Sequence, residues 1–131
     1  MITLATLGEA TEQEVFDQVA THLLTQMQKC RKEGTGYCQY RNEEGLKCAA
    51  GCLISDEEYD SRMDDNTGQK GTSWRCLMDN ELVPITKHAE LIAGLQHIHD
   101  SWSPDTWYED LRMMTMNHEL NTTVLDTFKK N

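Results

Sequence analysis

Apolar positions along the chain fall into helical stripes separated by polar or small-residue stretches. The first stripe is Val15, Phe16, Val19, Ala20, Leu23, Leu24 and Met27, the 3.6-residue spacing of a helix with one buried face. In front of it, Thr11-Glu12-Gln13-Glu14 has the form of a capping box, threonine at the N-cap and glutamate three residues on. The pattern predicts a helix running to about Lys32 and stopping at Gly34, with Lys29, Arg31 and Lys32 favourable to its C-terminal dipole. His22 lies at the border of the stripe. A second stripe, Leu91, Ile92, Leu95 and Ile98, belongs to a helix beginning near Ile85, where Ala89 and Gly94 allow close packing. Ser101-Trp102-Ser103-Pro104 breaks it, and Ser103 at N-cap with Pro104 at N1 opens a further helix. There Trp107, Leu111, Met114 and His118 recur three or four apart. Met113, Met114 and Met116 cannot all face inward on one helix, so at least one is exposed or at an interface. Asn121 or Thr122 caps a last short turn carrying Val124, Leu125 and Phe128.

Between these stripes lies the densest apolar run of the chain, Gly45-Leu46-Lys47-Cys48-Ala49-Ala50-Gly51-Cys52-Leu53-Ile54. Its small residues, Ala49, Ala50 and Gly51, let another element approach the backbone closely. Tyr37 to Arg41 reads as a strand, Asn42 to Gly45 as a four-residue turn, and Leu46 to Ala49 as the return strand of a small β-hairpin over residues 37 to 49. From Ala49 or Ala50 onward the run reads equally well as helix. Residues 60 to 73 are polar with Gly68 and Gly71, a surface loop. The fold class expected is α+β, mainly α: about four helices and one hairpin around one core, with residues 1–131 as a single domain. Residues 1–10 and 129–131 are expected to fray.

Charge narrows the classes of function. Net charge is −10, from 22 acidic and 12 basic residues, which argues against direct nucleic-acid binding and against anionic membranes, since both need cationic neutralisation. Solubility is one use of such a surface. Another is imitation of nucleic acid, for which Asp56 to Asp65, with six carboxylates and one arginine, is the local support. No stretch approaches a membrane span. The N-terminus has neither the basic nor the apolar region of a secretory signal. Five cysteines, an odd number, then read as reduced thiols in a cytoplasm.

Two chemical constellations present themselves. Cys48 would sit at the positive end of a helix starting near it, which lowers a thiol pKa. His99, with Asp100 to orient it, would complete a cysteine-dependent hydrolase of Cys48, His99 and Asp100. Cys48 and Cys52 would also share a helical face at i, i+4, and His97 or His99 could join them on zinc. His97 and His99, two apart, point to different faces, so one packing against Trp102 and Trp107 while the other meets water is the simpler arrangement. No phosphate loop, HExxH, GxSxG or Rossmann fingerprint is present. Tryptophan and methionine suit adaptable partner contact, and the residues assigned to partner binding are Tyr40, Arg41, Lys47, Trp74 and Trp107.

The phrase Cys38-x-Tyr-Arg … Gly45-Leu-Lys-Cys-Ala-x-Gly-Cys-Leu-Ile54, followed by Asp-Glu-Glu-Tyr59, resembles a pattern in uncharacterised small proteins of tailed bacteriophages and prophages. The similarity extends through Leu95-Gln-His-Ile-His-Asp100 to Trp107, with Ser55 where the pattern leads one to expect proline. The resemblance implies a phage accessory protein in the host bacterial cytoplasm. It implies a non-catalytic binder that inhibits or sequesters a host protein or a signalling nucleotide, in host takeover or counter-defence. Neither cofactor nor metal is expected in that role; zinc belongs to the alternative above. A homo-oligomer is compatible with it.

Overall fold

Helix α1, Glu12–Gln26, is the post against which the rest of the chain is stacked. Its capping box forms as the sequence predicts: Glu14 N donates to Thr11 Oγ1 at 3.1 Å and Thr11 N to Glu14 Oε1 at 2.9 Å. Val15, Phe16, Val19, Ala20, Leu23 and Leu24 are buried along one face. In this computed structural model residues 1–32, 38–64 and 73–128 are described. The other helices are α2, Trp74–Asp79; α3, Ala89–Ser101; α4, Trp107–His118; and α5, Thr123–Asp126. Short 3₁₀ turns lie at Leu7–Glu9, Ala50–Leu53, Ser61–Asp64 and Pro104–Thr106. α1 packs on α3, α4, α5 and the Ala50–Leu53 turn, and α3 also packs on α2 and α4. Among the described residues no helix is long and apolar enough to cross a membrane.

α3 and α4 keep the expected stripes. Leu91, Ile92, Leu95 and Ile98 are buried on α3, and Trp107, Leu111 and Met114 on α4. Met113 and Met116 face outward. Ser103 caps the Pro104–Thr106 turn that leads into α4. Gly94 lies where an added Cβ would come 2.6 Å from Met114 Cε, so α4 sits close over α3 there.

The domain is mainly helical, and the expected hairpin is not formed. Arg41 pairs with Lys47 through one isolated antiparallel bridge and Arg31 with Cys38 through another; among the described residues no ladder extends from either. Two backbone bonds frame the first bridge, Cys48 N to Tyr40 O and Asn42 N to Leu46 O, both at 3.3 Å, and side chains have taken the amides of Tyr40 and Leu46 that would continue it. Asp64 accepts the amides of Tyr40 and Arg41, at 2.7 and 3.2 Å. Asn42 Oδ1 accepts those of Glu44 and Leu46, at 3.1 and 3.0 Å, around a turn in which Gly45 adopts φ +84°. On the outer edge, Lys47 gives its N–H to Gln26 Oε1 at 3.1 Å and its carbonyl accepts from Gln26 Nε2 at 2.8 Å, so a glutamine of α1 stands where a third strand would pair. With those donors and acceptors satisfied, strand extension has nothing to gain.

Glutamines of α1 repeat this pairing elsewhere. Ile2 N donates to Gln18 Oε1 at 2.7 Å and Ile2 O accepts from Gln18 Nε2 at 2.9 Å. Asn121 N and O do the same with Gln13, at 2.8 and 3.2 Å. Three amides on one helix thus dock three irregular segments as a sheet edge would. The N-terminal residues, expected to fray, are held by Gln18 and by Glu58, whose carboxylate accepts Leu4 N and Ala5 N at 2.9 and 2.8 Å. Leu7 is fully buried.

Other boundaries also move. α1 ends at Gln26, where Met27 turns into the left-handed region at φ 51° and closes the helix with its N–H on Leu23 O. α3 starts at Ala89, after His88, whose buried Nε2 donates to Ala10 O at 2.7 Å. α2 occupies a stretch to which the hydrophobic pattern assigns no element; Ser73 caps it, its hydroxyl accepting Cys76 N at 3.1 Å. Of the expected loop at 60 to 73, Ser61–Asp64 is a 3₁₀ turn and residues 65–72 lie outside the described residues, as do Gly34, Tyr37 and the tail 129–131.

The small-residue run meets its partner in the backbone itself. A Cβ on Gly51 would lie 2.3 Å from the Tyr40 carbonyl oxygen, so only glycine fits. Ala49, Ala50, Leu53 and Ile54 are buried around it.

Candidate functional site

The sequence names His99 and Asp100 as a pair, and the last turn of α3 delivers them together. His99 is fully buried, stacked on Trp107 with ring centroids 5.6 Å apart. His97 is exposed and meets Trp102 edge-on. Both His99 nitrogens are engaged. The amide of Cys30 donates to Nε2 at 3.0 Å, so Nε2 carries a lone pair. Nδ1 therefore carries the ring proton and donates it to Asp100 Oδ1 at 2.7 Å. Asp100 Oδ1 also accepts from Gln96 Nε2 at 2.8 Å. The Cys38 thiol is pushed up to about 12, first by burial and then by the charge and hydrogen bond of Asp100.

Cys38, His99 and Asp100 are the one group of metal-ligating side chains among the described residues whose ligand atoms lie within 4.8 Å of one another. The donor set does not fit a metal as arranged. A His99 ligand needs a free lone pair, and the only one is spent on the Cys30 amide. The expected zinc set of Cys48, Cys52 and His97 is not brought together either. Cys48 Sγ accepts from Gly51 N at 3.2 Å, Cys52 Sγ donates to Ala49 O at 3.2 Å, and His97 Nδ1 meets Ser101 Oγ at 3.2 Å.

The nucleophile expectation is likewise corrected. Cys48 precedes a four-residue 3₁₀ turn rather than a helix, so no macrodipole develops over it. It is fully buried, and burial moves its thiol well above the ordinary range, opposite to activation. Burial also pushes Cys30 and Cys52 up to about 12. Asp100 does orient His99, but the far side of the ring faces an amide and not a thiol.

Of the five residues assigned to binding, three are core. Tyr40, Trp74 and Trp107 are at most 3 % exposed, Tyr40 and Trp74 in tilted contact at 6.4 Å. Arg41 and Lys47 remain, opposite each other across the isolated bridge. The Arg41 guanidinium is built in: Nη2 donates to Ile54 O at 2.7 Å, Nη1 to Asp56 Oδ1 at 2.6 Å, and Cζ lies 5.0 Å over the Tyr59 ring. Tyr59 in turn donates its hydroxyl to Asp64 Oδ2 at 2.5 Å, the carboxylate that clamps the Arg41 backbone. Arg41 lines a cavity of about 690 Å³ with Lys32, Gln39, Asn42, Glu43 and Tyr59. Lys47 lines a second, of about 710 Å³, with His22, Gln26 and Cys52 among its walls.

Much of the acidic block is engaged by its own chain. Asp56 serves Arg41, Glu58 the N-terminal amides, Asp60 Arg62 and Asp64 the Tyr40–Arg41 backbone. Burial acts to raise Glu58, but hydrogen bonds from Ser55, Leu4 and Ala5 outweigh it and hold its carboxyl below the usual range. Four of its six carboxylates thus hold groups of their own chain. Sequence reading missed Asp64 and the α1 glutamines altogether, since nothing in their spacing marks a long-range partner. Comparison of the chain with protein families, with curated proteins and with solved structures finds no match.

Proposed function

We propose that this protein works by stoichiometric binding, not turnover, and that its partner contacts the face carrying Arg41 and Lys47. The observation that carries this reading is the locked state of the candidate chemistry: both His99 nitrogens are committed and Cys48 is sealed in the core. A general base needs a lone pair free to take a substrate proton, and a nucleophile needs access. What the surface offers instead is a guanidinium fixed in place beside a cavity, which suits recognition. With the resemblance to small phage proteins, the reading becomes an accessory protein of the host bacterial cytoplasm that occupies and inhibits or sequesters a host component.

The test is retention on immobilised protein from a bacterial lysate, compared between wild type and the Arg41→Glu, Lys47→Glu double variant. A component held at a fixed ratio by wild type and lost by the double variant is the expected result. Catalytic consumption of that component, or equal retention by both, would refute the proposal.

A further inference from the structure

We propose that Arg41 and Lys47 form an oxyanion site that the chain's own Asp56 occupies in the free protein, and that its ligand is a carboxylate-bearing acidic segment of a partner. This rests on the binding reading above and specifies its chemistry.

The two cations face each other across one antiparallel bridge, which puts their side chains on the same side of the segment. The guanidinium does not depend on Asp56 for its position. Ile54 O holds Nη2, Tyr59 supports the flat face, and Asp64 fixes the backbone N–H groups of Tyr40 and Arg41. Asp56 is the opposite kind of group. Its side chain is 82 % exposed, against 18 % for Arg41, and its bond to Nη1 is its sole hydrogen bond or ion pair among the described residues. The Arg41 hydrogen bond, then the charges of Arg41 and Lys47, hold its carboxyl below the usual range; among the described residues Arg41 alone is in ion-pair contact with it, and Lys47 contributes through its charge across the bridge.

A rigid cation with a loosely attached anion is the arrangement of a filled site whose occupant can leave. The occupant is a carboxylate, and that identifies the chemistry the site accepts: an anionic oxygen on Nη1, the guanidinium nitrogen that Ile54 O and burial leave to it. The adjoining cavity of about 690 Å³, walled by Gln39, Asn42 and Tyr59 among others, gives room for the segment that bears the incoming group. Because Asp56 is tethered, it competes at a high effective concentration and lowers the competent fraction of sites. Its removal therefore strengthens binding instead of weakening it, an effect that a merely structural ion pair would not have.

The experiment is a calorimetric titration with acetyl-tetraglutamate amide as probe, on wild type, Asp56→Asn, and Asp56→Asn combined with Arg41→Met or with Lys47→Met. Inorganic pyrophosphate serves as the second probe. Asp56→Asn should bind the peptide about fivefold or more tightly than wild type while melting at the same temperature. Either second substitution should cancel the gain; Lys47→Met covers the case in which Arg41→Met fails to fold. Asp56→Asn binding no tighter than wild type, or binding indifferent to both cations, would overturn the proposal. Pyrophosphate binding tighter than the peptide at the same residues would overturn the carboxylate assignment in favour of phosphate. Retention of a host component that the Arg41→Glu, Lys47→Glu double variant abolishes but Asp56→Asn leaves unchanged, with no peptide binding, would reject this carboxylate site and leave the binding reading standing.

Discussion

Gly51→Ala tests the packing hub at a single atom. The added methyl would lie 2.3 Å from Tyr40 O, 3.2 Å from Tyr40 C and 3.4 Å from Cys48 Sγ. Relief requires a backbone shift of about 1 Å, since carbon contacts settle near 3.5 Å. Tyr40 is poorly placed to move: Asp64 holds its N–H at 2.7 Å, its carbonyl accepts Cys48 N at 3.3 Å, and its ring is buried beside Trp74. Overpacking costs about 1–3 kcal/mol, and weakening the Cys48 bond adds about 1 kcal/mol. The stiffer unfolded chain returns about 0.4–1 kcal/mol. The net is a loss of about 2 kcal/mol, or a fall in Tm of roughly 8 °C for a chain of this size. Two other glycines are internal controls. Gly8 has nothing within 4 Å of an added Cβ, so Gly8→Ala should be neutral or slightly stabilising. Gly94→Ala meets only the flexible end of Met114 at 2.6 Å, and the helix-propensity gain of about 1 kcal/mol offsets that shift. Thermal unfolding by circular dichroism separates the three. A Gly51→Ala protein melting within about 2 °C of wild type would refute the close approach of the Tyr40 carbonyl.

Further outcomes follow from the same contacts. Gln26→Glu replaces an amide that donates to Lys47 O and Gln28 O, both at 2.8 Å, with a carboxylate facing two carbonyls; urea unfolding should show a loss of about 2 kcal/mol, and Gln28→Glu, on an exposed side chain, almost none. Burial lowers the His22 pKa, the bond to Lys47 O opposing and the Lys47 charge adding to the shift. The unfolded chain therefore takes up this proton first, so the His22 contribution is whole above the unfolded value of 6.5 and shrinks as pH falls through it. Between about pH 7.5 and about pH 5.5, wild type should lose more Tm than His22→Gln, which keeps a donor for the Lys47 carbonyl; equal losses would refute the assignment. Cys48→Ser puts a hydroxyl into a fully buried site where Sγ only accepts from Gly51 N. It should cost about 1–3 kcal/mol yet leave partner retention by the folded protein intact.

Periodicity and capping explain why three helices were legible before the fold. Val15 to Leu24, Leu91 to Ile98 and Trp107 to Met114 bury the faces their spacing predicts, and Thr11 and Ser103 begin their elements. These signals are local, so a linear reading contains them. The hairpin failed for the opposite reason. Its residues have strand-like pattern, but Asp64 from beyond the segment and Asn42 within its own turn take the amides that would extend the pairing. Gly51 was recognisable as a place of close approach, whereas its neighbour, the Tyr40 carbonyl, was not. The candidate site divides in the same way. Arg41 and Lys47 stay at the surface, while Tyr40, Trp74 and Trp107 resemble contact residues only until their burial is known. The His99–Asp100 contact follows from adjacency, but the Cys30 amide that fixes the ring's tautomer lies 69 residues away in sequence.

Site-resolved alkylation of the folded protein with iodoacetamide, followed by mass spectrometry, tests the central claim that the chain binds and does not catalyse. Cys76 is exposed, Cys38 and Cys52 are half-buried with thiols pushed up to about 12, and Cys48 is sealed. The expected order is Cys76 first, Cys38 and Cys52 slowly, and Cys48 only on unfolding. A Cys48 that reacts faster than Cys76 in the folded protein, with a rate set by an ionisation near neutral pH, would contradict it and establish a nucleophile.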